Sequence, residues 1–245
     1  MVNREVPHTP YEQSILDQHG LVARRIAAPF PIWLVKLDNS PRGPLLGCLS
    51  EAERARADRF RHMRHRDRYL AAHGALRLLN ELHFGIPAAR QRYHANAFGK
   101  PYLADAGDAY NSISYTGDLA LVASSRGEEI GVDAELIRPI EDAQGLMRLH
   151  YTQREQRSLE RIGARSPRFD QSFLAIWARK EACAKALGRG LSIPPSSFEC
   201  GATRGRLIVA VCGELVCSEV LAVDGNLVIA WAKCRPYSSN HVSIT

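Results

Sequence analysis

Stretches with the alternation of a strand and stretches with the period of a helix follow one another along the chain. Residues 31–38, PIWLVKLD, are rich in β-branched and aromatic residues, which predicts a strand. Ser50 and Glu53 then stand in the spacing of a capping box, which predicts the start of a short helix. A longer helical pattern covers residues 64–85 and ends at Gly85. The first half thus predicts a strand, a short helix and a long helix in this order.

The chain after this long helix predicts a small antiparallel set of strands. Its members are short, and the last two are joined by the turn Thr116-Gly117-Asp118. The strands are expected at residues 90–95, 101–103, 112–116 and 119–125.

The second half repeats the order of the first. Residues 129–136, EIGVDAEL, predict a strand, and Thr152 with Glu155 predicts a second capping box. A long helical pattern covers residues 169–188. Three closing strands are predicted, with the turn Asp224-Gly225-Asn226 between the last two. They are expected at residues 207–212, 215–223 and 227–234.

This repeated order predicts an internal duplication. We expect an α+β fold of two pseudo-twofold-related α/β subdomains, each a small, mostly antiparallel sheet packed against a long helix. The boundary is expected in the polar stretch 124–129, which gives an N-terminal subdomain of residues 1–127 and a C-terminal subdomain of residues 128–245. The first 30 residues and the last dozen are expected to be extensions. A site would lie in the cleft between the two halves.

The second long helix carries a polar stripe that its packing does not require. Trp177, Glu181, Lys185 and Gly188 recur at spacings of four, four and three, so they share one helix face. The opposite stripe is apolar and is expected to face a core, with Lys180 reaching out of it to solvent. Taken alone, Glu181 and Lys185 are more typical of a surface ion pair.

Two further carboxylates lie on the strand at residues 129–136. The strand period places Asp133 and Glu135 on one face, which taken alone is typical of a solvated sheet surface. If this strand packs against the second long helix, Glu181 can join them. Three carboxylates without a His or Cys favour Mg²⁺ over a softer metal, and Lys185 would then point at the phosphates of a substrate.

The charge of the chain favours an acidic partner. The formal net charge is +6 and the isoelectric point is about 9.1, which fits a nucleic acid, an anionic membrane, a phosphorylated small molecule or an acidic protein. Residues 59–68 form a basic run that is either a phosphate or nucleic-acid surface or a solvated helix face. In the FGKP turn, Gly99 allows close backbone approach and Lys100 is either a phosphate contact or an exposed turn lysine.

The cellular site is predicted to be the cytoplasm. The N-terminal stretch has no uninterrupted apolar segment of the kind found in a signal peptide, and no apolar run has the length of a membrane span. The cysteines include no CxxC pair and are expected to be reduced and mostly buried. They stand at positions Cys48, Cys183, Cys200, Cys212, Cys217 and Cys234.

Two motifs together resemble the paired signature of the 4'-phosphopantetheinyl transferases, in their large two-halved (Sfp-like) type. They are GVDAE at residues 131–135 and WARKEACAKALGRGLSIP at residues 177–194. The stretch LSEAERARADRFR, the FGKP turn and SISYTGDLALVAS precede them in the order of that family, so the resemblance covers about residues 31–233. Three positions depart from the family pattern. Ser112 and Tyr115 stand where the family usually has Asn and His, and His73 stands where it often has Arg. A local shift that uses Asn111 in place of Ser112 is an alternative.

The resemblance implies a reaction and a role for each matching residue. Coenzyme A would donate its 4'-phosphopantetheine arm to a serine of an apo acyl or peptidyl carrier protein and release adenosine 3',5'-bisphosphate. The implied Mg²⁺ ligands are Asp133, Glu135 and Glu181. The implied catalytic residues are Glu181, as general base, and Lys185, on the phosphates. The implied coenzyme A contacts are Arg56, Arg77, Gly99, Lys100, Pro101, Ser112, Ser114, Tyr115 and Lys185.

The same resemblance implies the partners. Carrier proteins of this kind are acidic, which matches the basic isoelectric point, and no nucleic acid or membrane is implied. A duplicated chain supplies both halves of its own cleft, so a monomer is expected. Two alternatives stay open on the residues alone: a nucleic-acid-binding module on the basic run, and a Mg²⁺-dependent phosphohydrolase on the three acids. Neither accounts for the two signature motifs together.

Overall fold

A computed structural model describes residues 10–38, 42–104, 106–164, 166–223 and 226–235 of the chain. These residues form two antiparallel sheets and a set of helices. The predicted turn residues Asp224 and Gly225 lie outside the described residues, as do most of the last dozen residues.

The first sheet lies wholly in the first half of the chain. It has six strands in the order β1-β2-β6-β5-β4-β3, and each neighbouring pair is antiparallel. The strands are β1 (Ala23–Ile26), β2 (Ile32–Lys36), β3 (Tyr93–Ala95), β4 (Pro101–Leu103), β5 (Ala109–Thr116) and β6 (Leu119–Arg126). The strands predicted in this half are confirmed, and β1 adds an edge strand that the sequence pattern did not predict.

The helices of the first half cover one face of this sheet. The capping box is present, since the Ser50 side chain accepts from the Glu53 N–H and the Glu53 side chain accepts from the Ser50 N–H. The long helix ends at Gly85, whose φ of 73° is left-handed, as its C-cap position favours. The helices are α1 (Pro10–Gln18), α2 (Arg42–Leu46), α3 (Glu51–Asp58) and α4 (Met63–Phe84).

The segment before residue 30 is part of the fold, so the expectation of an extension there was wrong for its described part. Leu16 on α1 and Leu21 after it are 0% and 1% exposed and belong to the core beneath α4. β1 pairs with β2 over four residues. Apolar residues are frequent between residues 21 and 30, but they do not alternate with polar ones, so the strand period does not stand out in the sequence.

The second half builds a four-stranded sheet against a second long helix. The strand order is β7-β10-β9-β8, again antiparallel throughout. The strands are β7 (Glu129–Leu136), β8 (Gly205–Val211), β9 (Glu214–Val223) and β10 (Leu227–Cys234). The helices are α5 (Ala143–His150), α6 (Gln153–Ile162) and α7 (Pro167–Ala186). The predicted elements are confirmed, and α5 is additional.

Three apolar layers separate four layers of structure. One core lies between α4 and the first sheet and includes Trp33, Leu76 and Val122. A second lies between the two sheets, and a third lies between the second sheet and α7. Helix α7 approaches β7 closely, because a Cβ atom at Gly131 would lie 2.0 Å from the carbonyl oxygen of Ala182. Because glycine has no Cβ atom, it allows the helix to pack directly against the strand at this position.

Lys180 does not reach solvent, so that expectation was wrong. The residue is 1% exposed, and its ammonium group lies 2.9 Å from the Glu155 carboxylate and donates to the carbonyl oxygen of Pro195. Glu155, the N3 residue of the second capping box, is itself buried and accepts from the Cys200 N–H. A buried cation is tolerated only when it is paired and hydrogen-bonded, and this one is.

The two sheets meet where β5 lies beside β7, and hydroxyl groups bridge them. β7 is an edge strand, so its outer N–H groups lack a strand partner. Side chains at alternate positions of β5 accept from these N–H groups at 3.0 to 3.4 Å. The pairs are Ser112 with Val132, Ser114 with Ala134, and Thr116 with Leu136. This hydroxyl ladder fixes the register of the second half on the first.

The predicted α+β fold class is therefore confirmed. Each half is an antiparallel sheet packed against a long helix, and the first sheet ends at Arg126 while the second begins at Glu129. The boundary between subdomains 1–127 and 128–245, and the pseudo-twofold relation between them, stay predictions.

Candidate active site

The centre of the site is the carboxylate of Asp133. It lies on the face of β7 that α7 covers and is 5% exposed. Its Oδ1 atom accepts from the Lys185 ammonium group at 2.7 Å and from the Ser114 hydroxyl at 2.7 Å. Among the described residues, its Oδ2 atom has no hydrogen-bond partner. Asp133 is thus held firmly on one side and unsatisfied on the other.

Two glutamates share this environment. Burial raises the pKa of Glu135, and the charge of Asp133 raises it further. Burial also raises the pKa of Glu181; Lys185 lowers it and Asp133 raises it. Arg138 donates to Glu135 at 3.2 Å and, with Lys185, lowers the pKa of Glu135. The three acids thus carry an excess of negative charge that these two cations offset in part.

This chemistry fits Mg²⁺, although the three acids do not converge as they stand. Within the described part of the chain, no three Asp, Glu, His or Cys side chains group closely enough to hold a metal ion. The donors are nevertheless hard oxygens, and the buried Oδ2 atom of Asp133 lacks a partner that a cation would supply. Asp133, Glu135 and Glu181 remain the predicted ligands.

A cleft of about 220 Å³ runs along the junction of the two halves, and we call it the seam cleft. Strand β5 and the FGKP turn supply one wall, and the end of α7 with the following loop supplies the other. The lining residues are Leu76, Phe98, Gly99, Lys100, Pro101, Asn111, Ser112, Ile113, Lys185, Gly188 and Gly190. The structure thus brings together five of the residues predicted to contact coenzyme A, namely Gly99, Lys100, Pro101, Ser112 and Lys185.

Asn111 is the unsatisfied member of this cleft. It is 2% exposed, and among the described residues neither its Nδ2 nor its Oδ1 atom has a hydrogen-bond partner. Leaving a buried polar group unpaired is costly, so such groups call for an explanation, and a ligand in the cleft is one. The sequence signal for Asn111 is that the family usually has Asn one residue further on, where this chain has Ser112.

A second, basic pocket of about 330 Å³ lies further along α4 and β5. It contains two of the predicted contacts, Arg56 and Tyr115, and Arg56 lies over the Tyr69 ring at 5.5 Å. The lining residues are Arg56, Phe60, His65, Arg68, Tyr69, His73 and Tyr115. Several arginines of the basic run are paired with acids, as Arg64 is with Asp118.

Two predicted contacts lie away from both pockets. Arg77 is 1% exposed, and its guanidinium group donates to Glu53 at 2.7 Å and to the carbonyl oxygens of Ala88 and Gln91. Ser114 is buried, and its hydroxyl group donates to Asp133. Both residues therefore support the site from behind in this structure.

A third hollow of about 540 Å³ adjoins Glu135 on the outer side of the site. Its walls come from β7, α5 and α7, and Trp177 meets His150 there edge to face at 5.3 Å. Leu146 and Leu149 on α5 are 37% and 67% exposed beside it. The unpredicted helix α5 therefore borders the acids.

Comparison with known proteins identifies the family. Residues 129–232 match the 4'-phosphopantetheinyl transferase superfamily. The 4'-phosphopantetheinyl transferase HetI of Nostoc sp. is 32% identical over 167 residues, which are 66% of this chain and 69% of that protein. The 4'-phosphopantetheinyl transferase Sfp of Bacillus subtilis is 26% identical over 150 residues, 61% of this chain and 65% of that protein.

The chain therefore belongs to the 4'-phosphopantetheinyl transferase superfamily. Within it, the chain is an enzyme of the Sfp-like type, as the sequence motifs predicted. None of the described helices is both long enough and apolar enough to cross a membrane.

Proposed function

We propose that this protein transfers the 4'-phosphopantetheine arm of coenzyme A to a serine hydroxyl of an apo acyl or peptidyl carrier protein, with Mg²⁺, and releases adenosine 3',5'-bisphosphate. The observation that carries the proposal is the meeting of Asp133, Lys185 and the FGKP turn at the seam cleft. These residues come from both halves and from both signature motifs.

Coenzyme A is proposed to occupy the seam cleft and the basic pocket. Pro101 and Ile113 offer apolar walls in the first, while Arg56 and Arg68 offer positive charge in the second. Phosphate groups favour such fixed cations, and arginine binds them with two donors. The phosphorylated nucleotide end would lie along β5, with the pyrophosphate near Lys185.

In the transfer, the carrier serine oxygen forms a bond to the phosphorus that bears the pantetheine arm. The bond from that phosphorus to the bridging oxygen breaks, and adenosine 3',5'-bisphosphate leaves with the electron pair. Lys185 stabilises the negative charge on the phosphates. Glu181 accepts the serine proton, directly or through a water molecule.

Mg²⁺ bound by Asp133, Glu135 and Glu181 would neutralise charge on the pyrophosphate and polarise its phosphorus. The chain prepares for this by holding Asp133 from behind: the Ser114 hydroxyl and the Lys185 ammonium group both bind Oδ1 and leave Oδ2 unpaired. Such support orients a metal ligand before the metal arrives.

The partner is proposed to be an acidic carrier protein domain, since the chain carries a net charge of +6. The protein is proposed to act as a monomer, because both walls of the cleft come from one chain. Its proposed location is the cytoplasm, as expected from its sequence.

Intact-protein mass spectrometry tests the proposal. An apo carrier protein is incubated with this protein, coenzyme A and Mg²⁺, and a parallel sample contains EDTA. We expect a mass gain of one phosphopantetheine group that EDTA abolishes. Asp133→Ala and Glu181→Ala should abolish the gain, while Glu128→Ala, on the partly exposed turn before β7, should retain it. Cleavage of coenzyme A without any carrier would instead indicate a phosphohydrolase, and no mass gain with several carriers would refute the proposed transfer.

A further inference from the structure

Four buried or half-buried polar side chains join the region of the FGKP turn to the second half, and we call them the seam clamp. Three belong to the first half, Asn96, Lys100 and Tyr102, and the fourth, Glu129, begins β7. The Lys100 ammonium group donates to the Glu129 carboxylate and, at 3.1 Å each, to the carbonyl oxygens of Ile130 and Ala186. The Tyr102 hydroxyl donates to the other Glu129 oxygen at 2.9 Å. The Asn96 amide donates to the carbonyl oxygen of Gly188 at 2.7 Å.

The clamp leaves no space at its contact with α7. Gly188, just past the helix end, has a φ of 66°, and a Cβ atom there would lie 3.0 to 3.2 Å from Asn96, Tyr102 and Lys100. Glycine at this position is therefore needed both for the backbone conformation and for the close approach of the turn. This explains why Gly188 continues the polar stripe of the helix.

The attachment points of the clamp are the ends of the two elements that carry the chemistry. Glu129 is the first residue of β7, which carries Asp133 four residues on. Ala186 is the last residue of α7, which carries Lys185 next to it. The clamp therefore joins the two walls of the seam cleft directly beside Lys185.

Lys100 has no donor left for a ligand. A lysine ammonium group has three N–H donors, and all three have an acceptor within the clamp. The side chain is 8% exposed, and only its flank lines the cleft. Binding a phosphate through this ammonium group would break a buried ion pair and leave Glu129 uncompensated, which is strongly unfavourable.

We propose that Lys100 is a positioning residue that acts through Glu129 to hold the walls of the seam cleft at the spacing coenzyme A requires, and that it does not bind a phosphate itself. The inference rests on the proposed function for its ligand. It differs from the role that the family resemblance implies for Lys100, because the decisive partner is Glu129, a residue that does not line the cleft.

Glu129→Gln separates the two roles, since it keeps Lys100 and its donors in place. Glutamine preserves the shape of the side chain but removes the charge that pairs Lys100. Glu128→Gln is the matched control, because the neighbouring residue makes the equivalent pair with Lys233 away from the cleft. We measure coenzyme A affinity by calorimetry, and KM and kcat with an apo carrier protein.

We expect Glu129→Gln and Lys100→Met to weaken coenzyme A binding to a similar extent, by about tenfold, which corresponds to losing one charge-assisted hydrogen bond. KM for coenzyme A should rise accordingly while kcat changes less. The double variant should be no worse than either single variant, because the two residues act as one unit. Glu128→Gln should bind like the wild type.

Two results would overturn the proposal. If Glu129→Gln binds coenzyme A as tightly as the wild type while Lys100→Met does not, Lys100 is a direct phosphate contact. If the wild type itself fails to bind coenzyme A, the proposed function fails, and the clamp is then judged by hydrogen exchange in the ligand-free protein. There, Glu129→Gln should speed exchange at residues 186–190 about tenfold and leave residues 143–150 unchanged. If residues 186–190 exchange at the same rate in Glu129→Gln and in the wild type, the clamp is refuted.

Discussion

Each half of the molecule uses its capping-box glutamate to hold a cation on its long helix, but the two halves do so in different surroundings. In the first half, Glu53 accepts from Arg77 at 2.7 Å, and its side chain is 15% exposed. In the second half, Glu155 lies 2.9 Å from Lys180, and both side chains are 1% exposed. The same kind of ion pair is present in both halves, but only the pair of the first half is partly exposed to solvent.

This difference in burial corresponds to a difference in position. Glu53 also meets His73, which lines the basic pocket, so the first pair lies behind a surface proposed to bind phosphate. Glu155 instead accepts from the N–H groups of Cys200 and Gly201 and ties α6 to the chain beyond α7. The first pair thus supports a pocket and the second closes a core.

Breaking the second pair should have the largest effect on stability. Glu155→Gln leaves Lys180 buried without a counter-charge, and removal of one partner from a buried pair costs about 3–5 kcal/mol. The free energy of unfolding from urea titration should fall by that amount. Glu160→Gln, an exposed substitution on the same helix, is the control and should change it little. A fall of less than 1 kcal/mol would mean that Lys180 reaches water in solution.

Breaking the first pair should cost somewhat less, and the cost should depend on pH. Burial raises the pKa of Glu53, but hydrogen bonds from His73 and Ser50 and the charge of Arg77 outweigh it and lower the pKa to about 2, from an ordinary value of 4.5. A depressed pKa stabilises the fold above about pH 4.5, and this contribution disappears as the pH falls towards 2.

The wild type should therefore lose up to roughly 3 kcal/mol through this group between pH 5 and pH 2. Glu53→Gln should be less stable at neutral pH and should lose less on acidification. Glu51→Gln removes the same charge from an exposed position in the same helical turn and should keep the acid dependence of the wild type. Parallel stability curves for Glu53→Gln and the wild type would contradict this assignment.

Asp133 in the active site differs from the two capping-box glutamates, because among the described residues one of its buried carboxylate oxygens has no hydrogen-bond partner. Ser114→Ala removes the hydroxyl that orients Asp133. If Ser114 supports a metal ligand, the affinity for Mn²⁺, measured as a stand-in for Mg²⁺, should fall by about tenfold, as is usual when such support is lost. Thr116→Val removes the next hydroxyl of the ladder, which bonds Leu136, and should leave Mn²⁺ affinity unchanged. Weaker coenzyme A binding in EDTA would show instead that Ser114 contacts the substrate.

The sequence predicted the elements better than the surroundings of individual side chains. Both capping boxes, both long helices and the β7 strand follow from local patterns, and all are confirmed. The period of β7 also places Glu129 on the face of Asp133, although its partner Lys100 is 29 residues away. Such partners depend on how the halves pack, which no local period encodes. For the same reason Lys180 was predicted to reach solvent, although it is buried against Glu155. The coenzyme A contacts implied for Arg77 and Ser114 stay predictions.

Asn111 gives the smallest expected effect and the one with the opposite sign. Among the described residues its amide is without a partner, so Asn111→Leu replaces an unsatisfied buried group by an apolar one of similar size. We expect a gain of about 1 kcal/mol in the free energy of unfolding. Asn80→Leu is the control, because Asn80 donates to Tyr93 at 2.7 Å and its replacement should destabilise the fold. If the amide contacts the ligand, Asn111→Leu should also weaken coenzyme A binding. A variant that is more stable and binds coenzyme A normally would show that Asn111 lowers stability without contributing to binding.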